Sequence, residues 1–349
     1  VQRNAGFRRY CLSRASADEV LVPILEVLNQ LPVVAPAATV AGAASAVGDE
    51  AAASPSSEGL AAWQPAAPPA ATALVLSLLV LTGERSFCES ASHARLADGN
   101  RVLDHARPVR DMAASSVLIA VVLRVAHWNF AGCKSAFFNR ILSCILANLA
   151  GWGVDHLHWY SSGRLIEVAQ LLARNALKAE VEPVASPPVT HTDLLAEHRK
   201  RMVRELLRDL LVLISSSLRG PRLGRNCNLV YALQRAYPAQ FSALESDVDF
   251  GPALRHIRSV MDWFQEHCPP EDKNGADNSA VQVGRLEAAA MRLHADVADP
   301  PAEASSGGRR FAFSEADGCA AFFLPEVWRE ARRSMPEHVC WTLPAAFRV

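Results

Sequence analysis

The sequence predicts an all-α fold: an irregular α-solenoid or armadillo-like helical-repeat array. Three observations carry that prediction. Apolar residues recur at helical spacing in most of the 349-residue chain, which is 50% hydrophobic and 20% charged. The helical stretches are short and joined in series by Pro- and Gly-containing breaks. Strand-like alternation is confined to one place near the end, "FAF" in "RRFAFSEADGCAAFFLPEVW", read as a small β-hairpin at 309–324.

The elements follow in order. "SADEVLVPILEVLNQL" opens with Ser16 and Glu19 at capping-box spacing, then places apolar residues at 20, 21, 24, 25, 28 and 31. Pro23 either kinks this helix or stands in its first turn. Residues 33–70 are rich in Ala, Pro, Ser and Gly without a steady period and read as a flexible insert. An apolar helix at 71–82 follows, then a loop with a short helix over 84–112, then a second apolar helix at 113–128.

"FFNRILSCILANLAGWG" sets 138, 141, 142, 145, 146 and 149 on one face and stops at Gly151. "SSGRLIEVAQLLARNALK" does the same with 165, 168, 169, 172 and 176, capped by Ser161 or Ser162. The longest pattern, "DLLAEHRKRMVRELLRDLLVLISSSL", has apolar residues at 203, 206, 207, 210, 211, 214 and 218. Thr192 or Asp193 caps it and Gly220-Pro221 ends it. "NLVYALQRAYPAQFSAL" and "GPALRHIRSVMDWFQEH" add two helices, the second with Gly251 as N-cap and a stripe at 254, 257, 261 and 264. Residues 269–310 read as a partly disordered linker around the helical pattern "VGRLEAAAMRLHADV". The whole chain is expected to form a single helical domain of six to eight helices.

Composition excludes several classes of function. With 35 basic and 36 acidic residues the formal net charge is −1, so no global basic field points to nucleic acid. "VQRNAGFRRYC" lacks the apolar core of a signal peptide. Cysteines 11, 88, 133, 144, 227, 268, 319 and 340 form no CxxC clip, which suits reduced thiols in a cytosolic protein. "AATALVLSLLVLT" and "SSVLIAVVLRVAHW" fall short of the ~20 apolar residues a membrane span needs, and both read as buried core helices.

Chemistry-bearing strings are few. "DHLHW" offers Asp155, His156 and His158, with His191 beyond. It lies in a turn between helices without a third ligand set by spacing, so surface or capping roles outweigh a metal site. "HRKRMVR" is basic, yet Glu197, Glu205 and Asp209 flank it on the same helix, which favours a solvated, self-paired face over a phosphate or anionic-lipid patch. Ser215, Ser216 and Ser217 have no base adjacent in sequence, and back-bonding to the helix explains them better than nucleophilic chemistry. The chain has no Walker loop, G-x-G-x-x-G, G-x-S-x-G or H-E-x-x-H string. No catalytic, cofactor-binding or metal-ligating residue is assigned.

Four blocks, in order from Tyr10 to Trp328, resemble the dymeclin family: "YCLSRASADEVLVPILEVLNQL", "ILSCILANLAGWGVDHLHWYSSGRLIEVAQLLAR", "NCNLVYALQRAYPAQFSALESDVDFGPALRHIRSVMDWFQEH" and "FAFSEADGCAAFFLPEVW". The resemblance implies a helical, non-enzymatic scaffold of the cytoplasm and the cytosolic face of the Golgi apparatus. It would support Golgi organisation and vesicle trafficking, with protein partners from that machinery. Peripheral membrane association would come through a myristoyl anchor outside this chain, which looks like the C-terminal half of a family member. The 33–70 insert, Glu326 in "FFLPEVW" and the end after Trp328 depart from the family pattern. A lipid-binding helical protein, or an enzyme whose site is assembled from distant residues, is the alternative.

Overall fold

The computed structural model describes residues 19–30, 69–103, 109–132, 135–181, 191–269 and 279–296. The expected hairpin at 309–324 and nearly all of the 33–70 insert lie outside them. The helices are α1 (19–30), α2 (Pro69–Thr82), α3 (Arg85–His93), α4 (Asn100–Leu103), α5 (Ala114–Ala131), α6 (Ala136–Trp152) and α7 (Trp159–Val181). They continue with α8 (His191–Ser217), α9 (Pro221–Arg225), α10 (Cys227–Arg235), α11 (Ala239–Leu244), α12 (Gly251–His267) and α13 (Ser279–Asp296).

The helical stripes become the core. The seven apolar positions from Val203 to Leu218, along α8 and one residue past its end, are all buried, as are the six of α6, the five of α7 and the four of α12. Each such helix must cover one face, and the packing does so in two rows. In one row α3 packs on α5, α5 on α7, and α7 on α10 and α11; in the other α2 packs on α6, α6 on α8, and α8 on α12. The α7–α8 and α5–α6 contacts join the rows. That is a helical array, built from short-range stacking. α5 is long and apolar enough to cross a membrane, but 72% of it is buried inside the fold, which fits a core helix.

Several local readings are corrected. The 84–112 stretch holds more than a loop and a helix: β1 (Arg95–Asp98) and β2 (Arg110–Ala113) pair antiparallel, with Leu96 opposite Met112. Four-residue strands with little apolar alternation leave no period-2 signal to read. The single helix expected over 228–244 is two, α10 and α11, because Pro238 supplies no N–H and keeps Tyr237 out of helical geometry. α7 begins at Trp159, ahead of Ser161 and Ser162, and α12 takes Phe250 as its N-cap, ahead of Gly251.

Cys88, Cys144, Cys227 and Cys268 are free thiols. Burial pushes Cys88 and Cys227 up to about 12 and Cys144 up to about 11, so they are protonated and inert at neutral pH.

Candidate functional site

The densest set of polar contacts lies where the loop 153–158 leaves α6 and meets the α8–α10 corner. α6 ends in Gly153, whose N–H bonds Leu149 O at 2.8 Å and whose φ of 82° is unfavourable for any other residue. A Cβ there would lie 2.0 Å from Arg222 Cζ. Arg222 uses that space to donate from Nη2 to Trp152 O at 3.1 Å, placing a cation at the C-terminal end of α6.

Asn226, fully buried, fastens the loop to the corner. Its Nδ2 donates to Val154 O at 2.8 Å and to Ser217 O at 2.9 Å, and its Oδ1 accepts from Leu157 N–H at 2.9 Å. Asn228 Nδ2 adds a bond to Leu157 O at 3.0 Å. A carboxamide with both N–H groups and its oxygen satisfied by main chain fixes three strands of backbone at once.

The "DHLHW" residues divide between three roles. Asp155 pairs with Arg225 at 2.7 Å and, at 3.9 Å, with Arg222. His158 caps α7: its Nδ1 accepts the Tyr160 N–H at 3.3 Å, while its own N–H donates to Ser116 Oγ at 2.8 Å. Burial, then the Arg95 charge, brings the His158 pKa down to about 4, the neutral form a cap requires. His156 sits at φ 59°, its pKa lowered by partial burial and by Arg95. His191 is the first residue of α8, and its side chain lies outside the described residues. Among the described residues no three His, Cys, Asp or Glu side chains are grouped to hold a metal ion.

One arginine of the basic cluster on α8 pairs away from its own helix, unlike the self-paired face expected. Arg204 reaches off its helix to Asp247 at 2.6 Å and Asp249 at 3.2 Å in the α11–α12 turn, with its guanidinium 4.7 Å from the Phe250 ring centroid. Arg208 pairs with Asp209 at 3.3 Å. Ser216 and Ser217 bond back to Leu213 O, as expected. Ser215 instead meets His256 Nδ1 at 2.9 Å, a base supplied by α12, 41 residues on. The Ser215 side chain is buried inside the α8–α12 contact, where the pair ties two helices together.

The sequence reading named Asp155, His156 and His158 but missed Asn226, Arg222 and Arg225. Their partners are largely backbone groups some 70 residues away, which leave no trace in local spacing.

The 153–158 loop and Asn226 fall within two of the family-like blocks. The family model described as "Dymeclin: Dyggve-Melchior-Clausen syndrome protein" matches residues 1–329. The chain belongs to the Dymeclin family. The match ends one residue past Trp328, where the sequence departs from the family pattern. Dymeclin of Xenopus laevis is 23% identical over 335 residues, covering 94% of this chain and 43% of the relative. Dymeclin of Mus musculus is 23% identical over 334 residues, with the same coverage, and that of Drosophila melanogaster 23% over 266 residues, 73% of this chain and 36% of the relative. The chain thus spans less than half the length of the dymeclins it matches. No solved structure matches it.

Proposed function

We propose that this chain works as a non-enzymatic helical scaffold at the cytosolic face of the Golgi apparatus, where it supports Golgi organisation and vesicle trafficking. The observation that carries the reading is the Dymeclin match over residues 1–329. The architecture is compatible with it. The polar groups that meet across the fold, Asn226 with the 153–158 loop and Ser215 with His256, are spent on joining elements. A helical array leaves extended surfaces on both rows for protein partners drawn from the trafficking machinery.

Proximity labelling in cells tests it. The tagged protein is expected to label Golgi and vesicle-coat proteins on their cytosolic domains. Labelling confined to nuclear, mitochondrial or luminal proteins would overturn the reading.

A further inference from the structure

We propose that the outward face of α13 pairs with the same face of a second copy of this chain, the two α13 helices running parallel. The pairing goes beyond the Golgi reading and does not depend on it. α13 is the last described helix, and it packs on α9, α10 and α12. Gln282, Leu286, Ala289 and Ala290 turn inward and are buried. The opposite side of the helix is apolar as well. Val281, Gly284, Ala288 and Met291 are all exposed, Val281 by 55% and Met291 by 74%. Their alternating spacing of three and four residues is that of a heptad seam, with Val281 and Ala288 at a and Gly284 and Met291 at d.

The shape of the face suits a second helix. A glycine inside a helix is unfavourable, and the fold itself does not need the space, since a Cβ on Gly284 would meet no atom within 4 Å. The absent side chain does let another backbone approach closely. Ala280 and Glu287 on one flank of the seam, and Arg285 and Arg292 on the other, are exposed too. α13 therefore stands proud of its neighbours, and a second body reaches the seam without striking them.

Charge selects the occupant and its direction. In this register Glu287 takes position g, and Arg285 and Arg292 take position e. In a parallel pair each g residue faces the e residue five places on in the other helix, so Glu287 meets Arg292 of the partner subunit, and two-fold symmetry makes the pair twice. Antiparallel pairing would instead set the Arg285 and Arg292 flank against itself, like charge on like. Among the described residues neither Glu287 nor Arg292 is held in an ion pair, and about 140° apart around the helix they cannot serve each other. Arg285 is turned back along its own helix, donating to Gln282 Oε1 at 3.2 Å. The seam is short, so the association is weak and concentration-dependent.

The test is sedimentation velocity of the full 349-residue chain over a range of concentrations. A dimer is expected to appear at tens of micromolar, roughly where an interface below standard size associates. Gly284→Arg should leave the chain monomeric throughout with its thermal melt intact, because the new side chain enters open space in the monomer. Glu287→Arg should weaken dimerisation about 10-fold by setting arginine against Arg292 of the partner subunit, and adding Arg292→Glu should restore it. Oxidation of Ala288→Cys should give an intermolecular 288–288 disulfide, read by peptide mass spectrometry. A wild type that stays monomeric to about 200 μM would overturn the proposal. So would dimerisation unchanged in folded Gly284→Arg, or an antiparallel link that joins Gly284→Cys to Ala288→Cys and leaves 288–288 unformed. Protection of Met291 from oxidation in a monomeric wild type would assign the face to another segment of the same chain, and would equally defeat it.

Discussion

Asn226 Oδ1 accepts the backbone N–H of Leu157 at 2.9 Å across 69 residues of chain. The same side chain donates to Val154 O and Ser217 O. Asn226→Ala strands one N–H and two carbonyls in a dry site, so the expected loss is ~3–5 kcal/mol. Urea denaturation measures it, and a loss below about 1 kcal/mol would mean that water replaces the carboxamide.

Gly153 and Arg222 occupy one space. Gly153→Ala adds strain at φ 82° and displaces the Arg222 guanidinium from Trp152 O, for an expected cost of ~2 kcal/mol. In an Arg222→Ala background the steric part disappears and about 1 kcal/mol of strain remains. A double-mutant cycle with no coupling would show that the two residues are not in contact.

The His158 pKa, held down to about 4, sets an acid limit. The unfolded chain protonates this imidazole below about 6.5 and the folded chain does not. Its contribution is therefore complete above pH 6.5 and is lost as pH falls toward 4. Because the residue is only half-buried, the effect is on the order of 1 kcal/mol. His158→Asn keeps an acceptor for the Tyr160 N–H and should flatten this part of the stability profile between pH 6.5 and 4.

Asp209 acts in the opposite sense. Burial pushes its carboxyl up to about 6 against the pull of Arg208. A folded pKa above the unfolded one stabilises most below about pH 3.8, and that stability is lost as pH rises through 6. Between pH 5 and 7 the wild type should lose about 1 kcal/mol relative to Asp209→Asn. Parallel thermal-melt profiles of the two proteins across that window would contradict it.

The long helices were legible because burial imposes a 3.6-residue period on side-chain chemistry. Val203, Leu206 and Leu210 on α8 and Ile141, Ile145 and Leu149 on α6 were each placed correctly from spacing alone. The ribbon of Arg95–Asp98 with Arg110–Ala113 was not, since its strands are too short to alternate. A capping histidine was anticipated in "DHLHW", and His158 fills that role at the start of α7, while Ser161 turns inward and bonds Ser116 O at 2.8 Å. Asn226 was invisible because main-chain partners have no residue identity. The basic cluster on α8 reads as a face paired with carboxylates of its own helix, whereas the α11–α12 turn supplies those of Arg204. For Asn226 and Arg204 the deciding contact is made across the fold.

Arrays of stacked helices ordinarily unfold from their ends, each unit answering mainly to its neighbours. The Asn226 carboxamide changes that order here. It clamps the exit of α6, the entry to α7 and the end of α8 to the residue that precedes α10. Those helices must then open and close as one cooperative block, so their amides share a single exchange free energy while α1 and α13 fray independently. A chain cut between α7 and α8 would divide that block, and neither piece would keep the fold it has here.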